Sequence, residues 1–144
     1  MMRALFIDFD GVLQPYPPRA GLSQMCWLPL LAELLETHPD VVLVVHASMR
    51  EHSPPQFIRG LLGKIGWRLH GVAPRGPRWP AIQSYLASHP ELRRYLVLDD
   101  MASEFPRPAP PDLLLCNGTT GITAPAVRDS LCVWLCTDSR VGCD

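Results

Sequence analysis

No stretch of this chain of 144 residues approaches the ~20 consecutive apolar residues that a bilayer-spanning helix requires. A membrane-embedded protein is therefore not expected. The five cysteines, Cys26, Cys116, Cys132, Cys136 and Cys143, form no CxxC pair. Cys132 and Cys136 are one helical turn apart, but no histidine stands beside them, which excludes zinc-finger spacing. Apolar-like buried thiols are expected instead. The odd count and the lack of a secretory leader point to a reducing, cytoplasmic setting. A net charge of -1 gives no general basic field, so bulk electrostatic attraction to nucleic acid is not indicated. Arg59, Lys64, Arg68, Arg75 and Arg78 cluster in one stretch and read, for the most part, as solvated surface. There is no internal repeat.

What is present describes an ordered globular protein, with 47% hydrophobic and 19% charged residues. The length suits one domain over residues 1–144, with a core that needs no disulfide or metal staple. Short β-rich apolar runs alternate with segments of helical period, the pattern of a parallel sheet covered on both faces. Strands are expected at Arg3 to Asp8, Val41 to Val45, Trp67 to Val72, Tyr95 to Leu98 and Leu113 to Cys116. The unbroken β-branched run Val41-Val42-Leu43-Val44-Val45 reads as a central strand buried on both sides.

Helices are expected from Leu28 to Thr37, from an N-cap at Ser53 through Leu62, from Pro80 to His89, and from Thr123 to Cys136. Residues 137–144 read as a tail. The proline-dense stretch from Phe105 to Pro111 reads as a rigid surface loop, since too few residues follow it for a second domain.

The chemistry gathers at strand ends. The first strand closes on Asp8-Phe9-Asp10-Gly11, two carboxylates flanking one aromatic residue. A strand ending this way projects both acids into the crevice at the carboxyl edge of a sheet. An Asp-Gly turn alone would explain this pair, but not the second one, Asp99-Asp100, at the end of another apolar run. Between them, the second strand ends in His46-Ala47-Ser48-Met49-Arg50, and a basic segment around Arg75 and Arg78 precedes the helix leading to the second acid pair.

This order resembles the haloacid dehalogenase superfamily, whose motifs are a DxD, a Ser or Thr, a Lys or Arg, and a terminal acid pair. Together with Asn117-Gly118-Thr119-Thr120-Gly121-Ile122-Thr123, it is similar to the small haloacid dehalogenase domains of RNA-repair-associated proteins. The resemblance implies a Rossmann-like α/β three-layer sandwich with about five mostly parallel strands and no separate cap domain. It implies a Mg²⁺-dependent phosphomonoesterase in which Asp8 is the nucleophile and Asp10 the general acid and base. Asp8, the Asp10 carbonyl and Asp99 would hold the cation, with Asp100 as a water-mediated ligand or loop anchor. Ser48 would bind the phosphoryl group, Arg78 would supply positive charge, and Gly11, Arg50 and Arg75 would surround the phosphate. An acid at Asp10 favours phosphate-ester hydrolysis, because superfamily members cleaving carbon–halogen or carbon–phosphorus bonds lack one there.

The pattern departs from the family in two places. Related domains carry two hydroxyl residues and then an aromatic where this chain has Ala47, Ser48 and Met49, and the third motif lacks its lysine. Arg78 stands at the right distance for the basic role, with Arg75 and then Lys64 behind it. Arg is not a neutral replacement for Lys. The alternative reading is therefore a catalytically weak metal-binding or accessory module. Absence of a cap favours a bulky phosphorylated partner, a nucleic-acid end or a phosphoprotein, over a small sugar phosphate. His46 reads as a structural hydrogen-bonder. The four tryptophans read as packing residues, with Trp79 beside Arg78 as the one place suited to base stacking.

Overall fold

A computed structural model describes residues 2–138. Five strands, β1 (Arg3–Ile7), β2 (Val41–Val45), β3 (Leu69–Val72), β4 (Arg94–Asp99) and β5 (Leu113–Leu115), form one sheet in the order β3-β2-β1-β4-β5. Every pairing is parallel, with Arg3 to Ile7 in register against Val41 to Val45 on one side and Arg94 to Leu98 on the other. Helices α1 (Leu28–Leu35), α2 (Pro55–Leu61), α3 (Arg78–Ser88) and α4 (Pro125–Asp138) complete the α/β sandwich.

The period of two in the strands sorts the core into two layers. Leu5, Ile7, Leu43, Val45 and Leu98 face Leu31 and Leu35 of α1, Ile58 of α2 and Leu131 of α4. Ala4, Phe6, Val44 and Val97 face Ile82 and Tyr85 of α3, with Leu92 and Phe105 closing that side. The connection from β1 to α1 is a loop, and the segment from β2 to β3 holds only short helical turns and α2. Neither connection forms a cap over the carboxyl edge.

Several boundaries differ from expectation. Trp67 and Arg68 belong to a 3-10 turn (Gly63–Arg68), so β3 starts later. The reason is Arg68, which is buried rather than solvated. Its guanidinium donates to the Leu35, His38 and Val41 carbonyls, closing the C-terminal end of α1. Ser53 does not cap α2: Pro54 holds the N-cap and no side chain bonds to the turn. Helix α3 begins at Arg78, two residues before Pro80, which sits within the first turn, where proline is tolerated. Thr137 and Asp138 continue α4 rather than fraying, and residues 139–144 lie outside the described residues.

Arg3 does for α4 what Arg68 does for α1. It is 1% exposed, pairs bidentately with Asp40 at 2.6 and 3.1 Å, and donates to the Trp134 and Leu135 carbonyls. Of the described thiols, only Cys116 is buried; Cys26 and Cys132 are half-buried and Cys136 is exposed. Cys143 lies outside the described residues. Among the described residues no helix is long and apolar enough to cross a membrane.

Candidate active site

The strand order makes the chain run outward from β1 to β3 and then return to lay β4 on the other side of β1. The crevice between the carboxyl ends of β1 and β4 is therefore the topological switch point, where open parallel sheets bind ligands. Asp8 is the first residue after β1, and Asp99 ends β4. The side chains of Asp8, Asp99 and Asp100 converge there, with one carboxylate oxygen of each within 4.8 Å of the others.

The local chain geometry enforces this convergence. After Asp8, the Phe9 carbonyl accepts from the backbone N–H groups of Val12, Leu13 and Gln14, while the Phe9 ring is 3% exposed in the core. Asp8 and Asp10 are thereby left on the cleft side. Gly11 completes the turn at φ +80°, a left-handed conformation that favours glycine. A side chain on Gly11 would collide with the Asp100 carboxylate, so this glycine also lets the two loops meet. Gly118 plays the same part from the far side: a Cβ there would lie 2.9 Å from Asp100 Oδ2.

Asp8 is 2% exposed. Its Oδ1 accepts from the Phe9 N–H at 2.8 Å and its Oδ2 accepts from Arg78 Nη1 at 2.9 Å. Burial and the nearby Asp99 charge push its carboxyl up to about 8, against the partial relief from Arg78. Asp99 is fully buried. Burial works against its charge too, but the bond from His46, Arg78 and the Met101 N–H outweigh it and hold the carboxyl below its ordinary value. Burial and Asp99 raise the Asp100 carboxyl. Three carboxylates thus face a single guanidinium, and the deficit of positive charge appears as the raised Asp8 and Asp100. Hard oxygen donors with an unbalanced negative charge suit a divalent cation such as Mg²⁺.

His46 fulfils the structural reading given to it. It is fully buried, with Nε2 2.8 Å from Asp99 Oδ2. Burial lowers the imidazole's pKa, so the ring is neutral; with Asp99 ionised, Nε2 carries the proton and donates it. Its Nδ1 has no partner among the described residues.

A cleft of about 140 Å³ opens over these acids, lined by Asp8, Asp10, Tyr16, Ser48, Arg78, Asp100 and Met101. A larger groove of about 470 Å³ lies between α1 and the 62–65 turn, and none of Asp8, Asp10, Asp99 or Asp100 lines it. Size is the poorer guide here, because the small cleft gathers Asp8, Asp100 and Arg78, all of perturbed acidity, in one place.

The remaining expected site residues divide. Ser48 faces the cleft, whereas Ala47 is 3% exposed and packs in the core, so the hydroxyl at this strand end belongs to Ser48. Arg78 enters the acid cluster, with Nη1 at 2.8 and 2.9 Å from the two Asp99 oxygens. Arg50 does not line the cleft. Its guanidinium is directed to the carbonyls of His46, Ala47, Pro74 and Gly76, which makes it an anchor for the loop before α3. Arg75 is exposed on that loop, and Lys64 lines the distant groove. Asp10 lines the cleft, but its carboxylate stands apart from the three-acid group and accepts from Gln14 Nε2 at 2.7 Å. Trp79 is half-buried against Phe105 rather than free to stack on a base.

Three contributors are absent from the motif pattern. Gln14 anchors Asp10 and accepts from the Met25 N–H with its other amide atom. Tyr16, 53% exposed at the rim, is held by the Gly118 carbonyl through its backbone N–H. Glu104 accepts the Arg78 N–H at 3.3 Å, fixing the start of α3. Of these only Gln14, four residues after Asp10, carried a positional hint.

No curated protein and no solved structure matches the chain. A family model does, over residues 4–127, which span both acid pairs and every element from β1 to the start of α4. The chain belongs to the family described as the HAD domain in Swiss Army Knife RNA repair proteins, within a superfamily of phosphohydrolase type.

Proposed function

We propose that the protein is a phosphomonoesterase that works through an aspartyl-phosphate on Asp8, with Asp10 as its general acid and base. The observation that carries this reading is the placement of Asp8, Asp10, Ser48 and Arg78 on one cleft, with one acid buried and the other at the rim. Asp8 Oδ attacks phosphorus while the bond from phosphorus to the leaving oxygen breaks, and Asp10 gives that oxygen its proton. Asp10 then takes a proton from water, whose oxygen attacks phosphorus and returns Asp8 as a free carboxylate with release of inorganic phosphate. Arg78 compensates charge beside Asp8 and can shift toward the phosphoryl oxygens; the Ser48 hydroxyl is placed to donate to one of them. Asp8, Asp99 and Asp100 would hold Mg²⁺, which when bound supplies the neutralising charge that lets two anions approach each other. The Gln14 bond sets the direction in which Asp10 presents its proton.

The substrate is inferred to be a phosphorylated RNA end. The cleft is small and uncapped, an aromatic residue stands exposed at its rim, and the matching family is described by RNA repair. A polynucleotide can cover the site with its own mass while Tyr16 stacks on a terminal base.

One observation favours a second reading. Arg78 Nη1 already bridges Asp8 and Asp99 and could serve as a resident cation in an accessory module without turnover. Phosphate release from an aryl phosphate and from 3′- and 5′-phosphorylated oligoribonucleotides in Mg²⁺ separates the two. The enzymatic reading expects turnover, abolished in Asp8→Asn and reduced by two to four orders of magnitude, that is about 10²–10⁴-fold, in Asp10→Asn. Undiminished hydrolysis by Asp8→Asn refutes the mechanism, and no hydrolysis by the native chain supports the accessory reading.

A further inference from the structure

Away from the acid cleft, a second group of ligating side chains meets at the outer edge of the sheet. His70 lies on β3, which pairs only with β2 and so leaves its other edge open. His89 is the C-cap of α3, and Glu91 follows it in the loop to β4. One potential ligand atom from each lies within 4.8 Å of the others.

The hydrogen bonds around this group orient both rings. His89 Nδ1 lies 2.8 Å from the Tyr85 carbonyl, which can only accept. Nδ1 therefore carries the proton, and Nε2 keeps its lone pair. His70 Nδ1 is 2.6 Å from the Tyr85 hydroxyl, a group able to donate or accept. Its Nε2 stands 3.2 Å from Glu91 Oε2, which can only accept, so without a metal Nε2 carries the proton. A cation taken up there requires the proton to move to Nδ1, where the Tyr85 hydroxyl can accept it. A tetrahedral cation bound at 2.0–2.1 Å sets its ligands about 3.3 Å apart, so this pair already has the required spacing. The two imidazoles lie 5.1 Å apart at 81°, and the His89 ring stacks on Tyr85 at 4.0 Å. Gly71 makes room for the Tyr85 hydroxyl, which a Cβ at that position would strike. Ring nitrogens whose opposite atoms are fixed by a carbonyl and a hydroxyl are the arrangement found around bound metals.

We propose that His70, His89 and Glu91 bind a borderline transition-metal dication of the Zn²⁺ class, with solvent as the remaining ligand. Two imidazoles and one carboxylate select such an ion over Mg²⁺, which prefers oxygen alone. The ion ties the C-terminal end of α3 to the edge strand. The same helix carries Arg78 in its first turn, so the site secures the element that delivers Arg78 to the acids. The inference is independent of the phosphatase reading, since it uses none of that site's residues.

The test is metal titration of the whole chain after chelator treatment, with Mg²⁺ in excess to fill the carboxylate site. Zn²⁺ is followed by calorimetry and Co²⁺ by its visible spectrum. One equivalent is expected, with no thiolate-to-metal charge-transfer band, and the affinity falls at least tenfold in each of His70→Gln, His89→Gln and Glu91→Gln. Glu91 is exposed and its replacement leaves the core untouched, so that variant stays informative if a histidine variant fails to fold. Imidazole ¹⁵N shifts of the unaltered protein give a second reading, with the Nε2 signals of His70 and His89 expected to move together on adding Zn²⁺. Unchanged affinity in Glu91→Gln, a thiolate band, or unmoved Nε2 signals overturns the site.

Discussion

Replacing Asp8 by Asn should make the metal-free protein more stable while removing the proposed nucleophile. Burial and Asp99 lift the Asp8 carboxyl from its ordinary 3.8 to about 8. A group whose folded pKa is raised contributes stability that is complete below the unfolded value and is lost as pH rises through the folded one. The chelated protein therefore loses stability between about pH 4 and pH 8 on account of Asp8. At 1.36 kcal/mol for each tenfold change in proton affinity, the ceiling is about 6 kcal/mol above pH 8. Two things reduce it. The acids share their charge, so Asp99 and Asp100 relax when Asp8 ionises. The Asn amide can keep the bond from the Phe9 N–H through its oxygen, but its NH₂ then faces Arg78 Nη1, donor against donor, at a cost of about 1–3 kcal/mol.

A net gain of about 1–3 kcal/mol remains for Asp8→Asn at pH 8 in chelator, or roughly 2–10 °C in melting temperature for a chain of this size. The assay is thermal or urea unfolding of both proteins from pH 5 to pH 9, with chelator and then with Mg²⁺. The difference between them isolates Asp8 from other titrating groups. It should grow with pH, and Mg²⁺ should shrink it by stabilising the native protein more than the variant. Equal stability of the two across the whole range, or a less stable variant at pH 8, refutes the charge-deficit account of the site.

Gln14→Ala frees the Asp10 carboxylate from its 2.7 Å anchor. It should lower kcat by about tenfold, or 1.4 kcal/mol, with little change in KM. The loss should be larger for an alkyl than for an aryl phosphate, because a poor leaving group depends more on the proton from Asp10; equal losses on both argue against a positioning role. Arg68→Ala leaves the Leu35, His38 and Val41 carbonyls without their donor. A loss of about 3 kcal/mol is expected, seen as an earlier urea midpoint, with Mg²⁺ affinity unchanged because Arg68 lies at the opposite end of the sheet.

The acid pairs were legible because their signal is local. A strand that ends in a carboxylate at a parallel sheet's switch point has its chemistry fixed by the backbone, and Asp8 and Asp99 needed nothing else to be located. The five strands were legible for the same reason, since apolar runs with a two-residue period carry their own burial pattern. Most of the arginines were not. Arg78 could be placed by its distance before Asp99, but nothing in the sequence separates Arg3, Arg50 and Arg68 from solvated arginines, yet each satisfies carbonyls or carboxylates from segments far along the chain. Which unsatisfied groups lie within reach of a long side chain is decided by packing, and composition around Arg68 gave only a basic stretch. Ala47 and Ser48 show the same division on a smaller scale. Only the turn after β2 determines which of two neighbours faces the cleft, and it puts the methyl group in the core and the hydroxyl in the site.

The two halves of the acid site therefore depend on different properties of the chain. Asp8 and Asp99 follow from strand ends and would survive many substitutions elsewhere. The half proposed to transfer protons depends on loops held by one or two bonds each: Gln14 to Asp10, Gly118 to Tyr16, and Arg50 to the Pro74 and Gly76 carbonyls before Arg78. Those loops border an uncapped cleft. On the proposed mechanism the aim of the Asp10 proton falls to these few contacts, so a variant that loosens them should retain cation binding while losing turnover. Gln14→Ala is the sharpest case, because it touches neither the three clustered acids nor Arg78. Loss of Mg²⁺ affinity in that variant, in step with kcat, would show that the two halves are one mechanical unit after all.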